Sequence, residues 1–394
     1  MLLSKEELLF IENHINDDIR LLALQASKYP GIDLAEAVRQ IAARQTARNK
    51  LPLWYNTKGI VYPHHLSMEQ CSSQAAAEYK ASLVGGDSFV DLTAGLGVDF
   101  SFIASKFKVA HYVERQELLC KLAYNNFPLL GIDNVSIHNE DGIEYLKETG
   151  LVDLIFIDPA RRDENGGKTV SISDCEPDIC KIEDMLVDKA HKVMVKLSPM
   201  LDISSALREL KHITEIHIFS LNNECKELLL ILKKNTSAPD IAVSCVNVMN
   251  SGECSKYSFY LQQENCLQPV IAHQMEEYLY EPNPSVMKGG GYKSLTHSFD
   301  VRKLNNSTHL YTSSKLIEEF PGRKFRIVDV SGFGKKELKE FLKNIEKGNI
   351  TIRNFPSTVA ELRKRLKLKD GGEDYLFATT LWDDSKVIIK CIKA

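Results

Sequence analysis

The sequence lacks the residue patterns that hold disulfide or zinc frameworks and those that span membranes. Its nine cysteines are scattered from Cys71 to Cys391, with no CxxC pair and no Cys/His cluster at zinc spacing. No apolar run reaches the ~18–20 residues of a membrane helix, and the first residues already have acidic helix character. We therefore expect a soluble cytoplasmic protein with reduced thiols, no metal site and no membrane contact.

A strong excess of charge of one sign is also missing. The 49 Lys and Arg residues against 53 Asp and Glu residues leave a net charge of −4, which excludes a chain that is basic throughout. Hydrophobic residues make up 44% and charged residues 26%, which excludes disorder, collagen and coiled coils. At ~100–200 residues per domain, 394 residues predict two or three domains.

The first 80 residues have helical patterns. Ser4 with Glu7 forms a capping-box sequence ahead of a periodic apolar stretch, and Asp33 with Glu36 repeats that signal. Residues 1–80 are therefore predicted to form a helical subdomain.

A run of short apolar segments follows, separated by helical stretches. Such buried runs predict an α/β domain over 81–236, with a parallel sheet covered by helices on both faces. The last segment is expected to lie antiparallel to its neighbour, because residues 222–227 are too few for a crossover helix. The predicted strands are 88–93, 109–113, 135–138, 152–157, 193–197, 214–219 and 228–232.

The rest of the chain divides into a loosely patterned region and a compact module. Residues 237–323 are predicted to be a connecting region that starts with a hairpin near Asn250-Ser251-Gly252. From Phe325 onward the order is strand, helix, strand, helix and hairpin, with the first helix expected over Lys335–Lys347. This α+β module is assigned to residues 324–394.

The most informative motif is the glycine loop after the first strand of the sheet, Asp91-Leu92-Thr93-Ala94-Gly95-Leu96-Gly97-Val98-Asp99. Gly95 and Gly97 permit a tight turn and close approach of a ligand. Phe100 replaces the third glycine of a dinucleotide fingerprint, which disfavours a nicotinamide-dependent oxidoreductase. Asp91 instead suits the ammonium group of a nucleotide such as S-adenosylmethionine. A plain strand-to-helix turn is the alternative.

Three further acidic residues follow successive strands. Glu114 is placed to accept hydrogen bonds from ribose hydroxyls, and Asp141-Gly142 to meet an adenine amino group. Asp158-Pro159 closes the fourth strand. Each of these carboxylates alone could be a surface charge or a helix cap, but four of them at successive strand ends favour a binding site.

These motifs resemble the class I S-adenosylmethionine-dependent methyltransferases, and more closely the bacterial proteins related to RNA cap guanine-N2 methyltransferases that carry a C-terminal THUMP-like domain. The resemblance implies a seven-stranded Rossmann-like sheet of order 3-2-1-4-5-7-6, a ferredoxin-like character for the connecting region, and a THUMP-like module over 324–394. The cofactor-binding residues that it implies are Asp91, Thr93, Ala94, Gly95, Gly97, Asp99, Glu114, Asp141 and Gly142. We expect Gly97→Val to block the cofactor while leaving the fold intact.

The fourth motif, Asp158-Pro159-Ala160-Arg161-Arg162, departs from the family pattern of two prolines and an aromatic residue. By resemblance, Asp158 and the Pro159 carbonyl would be catalytic and orient an exocyclic amine. Arg161 and Arg162 would contact the substrate by stacking on a base or binding phosphate. The motif is also similar to that of uracil-C5 methyltransferases, but Lys196-Leu197-Ser198-Pro199 lacks the cysteine that attack at carbon requires.

A basic cluster in the tail, with Arg363, Arg365 and Lys367, is the candidate RNA-binding surface. A solvated helix face is the alternative. The predicted function is RNA methylation at a base nitrogen. Because Ala160 and Arg161 break the motif, a cofactor-binding but non-catalytic RNA-binding or assembly factor remains the second hypothesis.

Overall fold

The chain folds into two compact units. The computed structural model describes residues 3–63, 68, 71–161, 171–234, 240–343 and 345–394. The first unit comprises Met1–Thr214 and Glu227–Ala238, and the second comprises Glu215–Lys226 and Pro239–Ala394. Arg162 and the expected boundary between residues 236 and 237 lie outside the described residues.

Side-chain caps start the N-terminal helices where the sequence places them. The Glu7 amide donates to Ser4 Oγ at 3.2 Å and the Ser4 amide to Glu7 Oε2 at 2.8 Å, which confirms the capping box. Asp33 likewise caps the next long helix. The helices described in the first unit are Lys5–Asn13, Ile19–Ala23, Leu34–Lys50, Pro52–Asn56, Gln74–Ser82, Val98–Ile103, Glu117–Leu129, Gly142–Glu148, Ile179–Lys189 and Ile203–Glu209.

These helices share a core with the glycine loop. Trp54 is fully buried and packs in one cluster with Leu96 and Val98, which come from the loop and from the helix that follows it. Burial of a large aromatic side chain at this place stabilises the loop through contacts that are remote in sequence. The helical region and the parallel sheet therefore belong to the same compact unit.

The described strands as far as Leu232 are β1 Gly86–Asp91, β2 Phe107–Val113, β3 Val135–His138, β4 Val152–Ile157, β5 Ala160–Arg161, β6 Cys175–Glu176, β7 Ala190–Leu197, β8 Ile213–Leu221 and β9 Glu224–Leu232. The sheet of the first unit has the order β3-β2-β1-β4-β7-β9, and every neighbouring pair is parallel except β7 with β9. This confirms the expected order of the first five predicted strands and the seventh, and the antiparallel direction of the seventh.

The sixth predicted strand, β8, lies largely in the second unit and is not an edge strand. It pairs in parallel with β10, Ala242–Val248, which forms an antiparallel hairpin with β11, Cys254–Tyr260. The hairpin expected near Gly252 is thus confirmed. The expectation that β8 would end the sheet is wrong, because β10 satisfies its free backbone groups.

The second unit also contains a seven-stranded sheet, whose strands are β12 Tyr278–Pro282, β13 Arg302–Asn305, β14 Thr308–Ser313, β15 Gly322–Gly332, β16 Asn349–Arg353, β17 Tyr375–Thr380 and β18 Lys386–Lys393. Their order in the sheet is β13-β14-β12-β15-β18-β17-β16. The helix expected over Lys335–Lys347 ends at Phe341, because Lys347 already forms a β-bridge with Lys369. The described helices of this unit are Leu261–Cys266, Pro284–Gly289, Leu295–Ser298, Lys335–Phe341 and Val359–Leu366. Among the helices in the described parts of both units, none has the length and apolar character that crossing a membrane requires.

Candidate functional site

The glycine loop is held in place between β1 and β2. Gly95 and Gly97 have φ values of +57° and +83°, which favour glycine over residues with a side chain. The Gly95 amide donates to Glu114 Oε2 at 3.0 Å, and the Tyr112 hydroxyl donates to the Gly95 carbonyl. The residues that follow the two strands therefore position the loop directly.

The two glycines of the loop differ in what surrounds them. A Cβ at Gly97 would lie 2.8 Å from Phe127 Cζ, so this glycine is required by packing inside the core. The expectation that Gly97→Val leaves the fold intact is therefore wrong. A Cβ at Gly95 would meet no atom closer than the Thr93 carbonyl at 3.8 Å. Gly95 is thus the loop residue with open space beside it.

Asp91 is a buried carboxyl group in acidic surroundings. Its side chain accepts the Thr93 amide at 3.0 Å, and only 1% of the residue is exposed. Burial raises the pKa of Asp91 well above its ordinary value, and the nearby carboxylates of Asp99, Asp158 and Glu114 raise it further. A bound cation would favour the ionised form of this carboxyl group.

Thr93 and Glu114 connect the loop to the neighbouring strand ends. The Thr93 hydroxyl accepts the Asp158 amide at 2.7 Å, which joins the loop after β1 to the end of β4. The second oxygen of Glu114, Oε1, accepts the Gln116 amide at 2.8 Å. The structure therefore brings Asp91, Glu114 and Asp158 to the carboxyl ends of three adjacent strands, where ligands of α/β sheets bind.

Asp141 and Gly142 begin the helix that follows β3. Asp141 Oδ1 caps this helix by accepting the amides of Ile143 and Glu144 at 2.8 and 3.2 Å. A Cβ at Gly142 would lie 2.1 Å from the Leu92 carbonyl oxygen, so the helix start packs directly on the chain after β1. These contacts give both residues a structural role at the sheet edge.

A network of buried charges lies behind the loop. Lys80 is fully buried, pairs with Glu227, and places its Nζ 2.9 Å from Asp99 Oδ1. It also donates to Ser72 Oγ at 3.0 Å, and this hydroxyl lies 2.8 Å from both Asp99 Oδ2 and Glu227 Oε1. Burial alone would raise the pKa of Asp99, but Lys80 and Lys196 lower it below its ordinary value.

Lys196 links this network to Asp158. Its Nζ donates to Asp158 Oδ2 at 2.6 Å and lies 3.7 Å from Asp99 Oδ2. Burial would lower the pKa of Lys196, yet Asp158, Asp99 and Glu227 raise it above its ordinary value. Burial raises the pKa of Asp158, and Lys196 offsets part of that increase. Lys196 therefore carries a fixed positive charge beside this carboxyl group.

Three members of this network, Lys80, Lys196 and Glu227, are not among the site residues expected from the sequence. Lys196 lies within the apolar run Val193–Leu197, and lysine is rarely buried unless it is paired. That position is a usable signal that a carboxylate lies nearby. Its partner could not be named without the fold, because Asp158 is remote in sequence.

The chain after Asp158 enters a short two-stranded ribbon. Pro159 is buried, and β5 pairs antiparallel with β6 through Arg161 and Cys175. The Arg161 side chain is outside the described part of the structure, as is all of Arg162. In the regions that the structure does describe, no group of three His, Cys, Asp or Glu residues is arranged to hold a metal ion.

The predicted RNA-binding residues lie at the end of the helix Val359–Leu366, and two of them have partners within the unit. Arg363 Nη2 lies 2.6 Å from Asp370 Oδ1, and the Arg365 guanidinium lies 3.8 Å above the Phe333 ring. Lys367 is exposed and ends the helix in a left-handed conformation. Of these three side chains, Lys367 presents its charge most openly to solvent.

An α/β sheet with a glycine loop after β1 and carboxylates at adjacent strand ends is the arrangement of a nucleotide-binding methyltransferase fold. Residues 278–321 match a ferredoxin-like domain, and residues 322–393 match a THUMP domain-like family. A crystal structure from Porphyromonas gingivalis W83, of a protein assigned as a methyltransferase, aligns over 100% of both chains with 31% identity and a TM-score of 0.87. The chain belongs to this methyltransferase family with a THUMP-like domain, which confirms the resemblance.

More remote structures were also found. An rRNA methylase from Streptococcus thermophilus aligns over 41% of this chain and 94% of its own, with 14% identity and a TM-score of 0.30. TrmK of M. capricolum, solved with S-adenosyl-homocysteine, aligns over 42% and 70%, with 13% identity and a TM-score of 0.33. Similarity at this level carries no inference about this chain. The comparison with curated proteins gave no match.

Proposed function

We propose that this protein transfers a methyl group from S-adenosylmethionine to a base nitrogen of RNA, at a guanine-N2-like position, in the cytoplasm. The observation that carries the proposal is the set of three carboxylates, Asp91, Glu114 and Asp158, at the ends of adjacent strands around Gly95. Carboxylates accept hydrogen bonds from ammonium and hydroxyl groups, and both groups are present in this cofactor.

The residues present fit the cofactor. Asp91 would hold its ammonium group, because a buried carboxyl group among like charges gains from a cation. Glu114 would hold the ribose hydroxyls, and Gly95 would lie against the ligand because a Cβ there meets open space. The family resemblance adds Thr93, Ala94, Gly97, Asp99, Asp141 and Gly142 to the surrounding shell. When bound, S-adenosylmethionine supplies an electrophilic methyl group.

Asp158 and Pro159 would orient the acceptor. The Asp158 carboxylate and the Pro159 carbonyl accept hydrogen bonds from an exocyclic amine and hold it in one orientation. Lys196, with its Nζ 2.6 Å from Asp158 Oδ2, favours the ionised form of the carboxyl group and holds its orientation, which leaves Oδ1 for the amine. Lys196 is therefore a positioning residue in this proposal.

RNA as the substrate rests on the THUMP-like match and on the basic tail. The match covers residues 322–393, which include Arg363, Arg365 and Lys367. Lysine and arginine side chains at an exposed helix end contact phosphates without regard to sequence. Arg161 and Arg162 would add contacts to the substrate beside Asp158.

One observation favours a second candidate, a cofactor-binding RNA-binding or assembly factor without catalysis. Ala160 stands where the family has its second proline, and Lys196 already occupies one oxygen of Asp158. In this alternative the cofactor binds and no methyl group is transferred.

Cofactor binding is tested by calorimetry with Gly95→Asn. Asparagine tolerates a left-handed backbone, so the variant should fold while its side chain occupies the space beside the loop. We expect affinity for S-adenosylmethionine to fall by at least about tenfold. Gly131→Asn is the matched control. Gly131 has φ +73° and open surroundings, and it precedes β3, so it lies towards the amino ends of the strands and away from the proposed site. Equal affinity of both variants would reject the cofactor assignment.

Methyl transfer is tested with the labelled cofactor and RNA from a strain that lacks this gene, followed by nucleoside analysis. The proposal expects label in an N-methylated base, and the alternative expects cofactor binding without label in RNA. Label in ribose or in protein would contradict the assigned acceptor.

A further inference from the structure

The second unit contains a cavity of about 410 Å³ that the methyltransferase site does not use. It lies among the helix Leu261–Cys266, the segment after the helix Pro284–Gly289, and β13 with β14. Its volume is within the range of roughly 300–1,000 Å³ found for small-molecule sites. The cavity is large enough for a ligand of nucleotide size.

Two ammonium groups line this cavity without a carboxylate partner. Lys303 is 3% exposed and donates to the Asn306 carbonyl at 2.5 Å, and Lys293 donates to the Asn265 carbonyl at 3.1 Å. Among the residues that the structure describes, neither lysine forms an ion pair. A buried ammonium group that forms no ion pair is costly, so an anion in contact with it would be favourable.

The single carboxylate of the lining, Glu264, is already engaged. Its Oε1 accepts the Lys293 amide and its Oε2 the Ser294 amide, both at 2.8 Å. Glu264 therefore fixes the backbone that forms the wall of the cavity. Among the described residues it forms no ion pair with Lys303 or Lys293, although its charge raises the pKa of Lys303.

His309 supplies an unpartnered polar atom at the same wall. Its Nδ1 is buried without a hydrogen-bond partner, and its ring stacks on Tyr292 with the centroids 3.6 Å apart. Burial, with the charges of Lys303 and Arg353, lowers the pKa of His309 to about 4, so the ring is neutral at neutral pH. The neutral His309 ring therefore adds no charge to the wall of the cavity.

We propose that this cavity binds a phosphate monoester, whose dianion is recognised by the ammonium groups of Lys303 and Lys293. Two ammonium groups match the charge of a phosphate dianion better than they match the single charge of a carboxylate ligand. Lysine is also a common phosphate ligand. The cavity volume beyond the phosphate accommodates a sugar. The phosphate can belong to a free nucleotide or to the 5′ end of an RNA chain. This inference does not depend on methyl transfer.

The first experiment titrates the full-length protein with uridine 5′-monophosphate and, separately, with uridine, because adenosine is part of the cofactor proposed for the first unit. We expect saturable binding of the monophosphate and none of the nucleoside. Lys303→Met should weaken binding by at least about tenfold, because it removes the charge and keeps the apolar stem. Lys293→Met, at a less buried position, should weaken it in the same direction. Lys386→Met is the matched control: Lys386 also donates to a neutral oxygen, Thr380 Oγ1, but lies outside the cavity, so its loss should leave binding unchanged.

The pH dependence of affinity distinguishes a lysine that binds the phosphate from one that only stabilises the fold. Burial lowers the pKa of Lys303 to about 8, with Lys293 lowering it and Glu264 raising it. Tyr292 and His309, which also face the cavity, are neutral between pH 7 and 9 because burial raises the pKa of the first and lowers that of the second. Affinity for the monophosphate should therefore fall as pH rises from 7 to 9, and this dependence should be absent in Lys303→Met.

The two sources of phosphate are separated with a short oligoribonucleotide carrying either a 5′-phosphate or a 5′-hydroxyl. Tighter binding of the phosphorylated form, lost in Lys303→Met, identifies an RNA end, and binding of the mononucleotide alone identifies a free nucleotide. Either result supports the site. Equal binding of the monophosphate and the nucleoside, or unchanged affinity in folded Lys303→Met and Lys293→Met proteins, would overturn the proposal.

Discussion

The two units bury lysine in opposite ways. In the first unit Lys80 and Lys196 are held by carboxylates, with Nζ to Asp99 Oδ1 at 2.9 Å and Nζ to Asp158 Oδ2 at 2.6 Å. In the second unit Lys303 donates to a backbone carbonyl instead. The pKa of Lys196 is raised by its partners, whereas burial lowers the pKa of Lys303 to about 8.

This difference separates a structural charge from one that is available to a ligand. A paired buried lysine is already neutralised, so it can fix the carboxylates of a site and gains little from a further anion. An unpaired buried lysine pays the full desolvation cost in the folded protein and gains when an anion arrives. The contrast predicts opposite responses to removal of the two kinds of lysine.

The largest expected effect is on stability. Lys80→Met removes the ion-pair partner of the buried Glu227 and leaves Asp99 with Lys196 alone, so the free energy of unfolding should fall by about 3–5 kcal/mol. Lys303→Met removes an unpaired charge and should keep or raise stability. Urea denaturation measures both, and hydrogen exchange should show the loss in the helix Gln74–Ser82. Equal destabilisation by the two variants would contradict the comparison.

The next effect concerns catalysis in the proposed methyltransferase. Asp158→Ala should cut methyl transfer by about 100-fold, the scale expected when a positioned polar group is removed, while cofactor affinity stays nearly unchanged. Asp153→Asn is the control, because Asp153 lies at the amino end of the same strand and accepts the amides of Asp87 and Ser88. Full activity of Asp158→Ala would refute the assigned role.

A smaller effect is expected at Glu114. Glu114→Ala removes the acceptor of the Gly95 and Gln116 amides together with the proposed ribose contact, so cofactor binding should weaken by about 1.5–3 kcal/mol. Calorimetry with S-adenosylmethionine measures the change. An effect within experimental error would show that Glu114 positions the loop and does not bind the cofactor.

The smallest effect is the pH dependence that Lys303 gives to stability. Because its pKa is about 8 in the folded protein and ~10.4 when unfolded, the unfolded chain binds more protons between these values. The Lys303 ammonium group lowers the free energy of unfolding fully below about pH 8, and this effect decreases as the pH rises towards ~10.4. Stability relative to Lys303→Met should therefore rise over this interval. A flat difference would show that the ammonium group is neutralised in the folded protein.

Local sequence determined much of the fold. The Ser4 and Asp33 caps, the buried strands and the antiparallel direction of β9 follow from short-range patterns, because caps and apolar runs act over a few residues. The pairing of β8 with β10 and the early end of the helix Lys335–Phe341 depended on partners remote in sequence.

At the site, the sequence by itself determined the glycine loop and the acidic residues at strand ends, because parallel topology brings strand ends to one edge. Tertiary structure alone decided that Gly97 faces Phe127 while Gly95 faces open space, and that Asp158 is paired with Lys196. It also decided that Lys303 and Lys293 share a cavity without a carboxylate partner. The physical reason is that a buried charge is defined by what lies across the fold from it, and that neighbour has no fixed spacing along the chain.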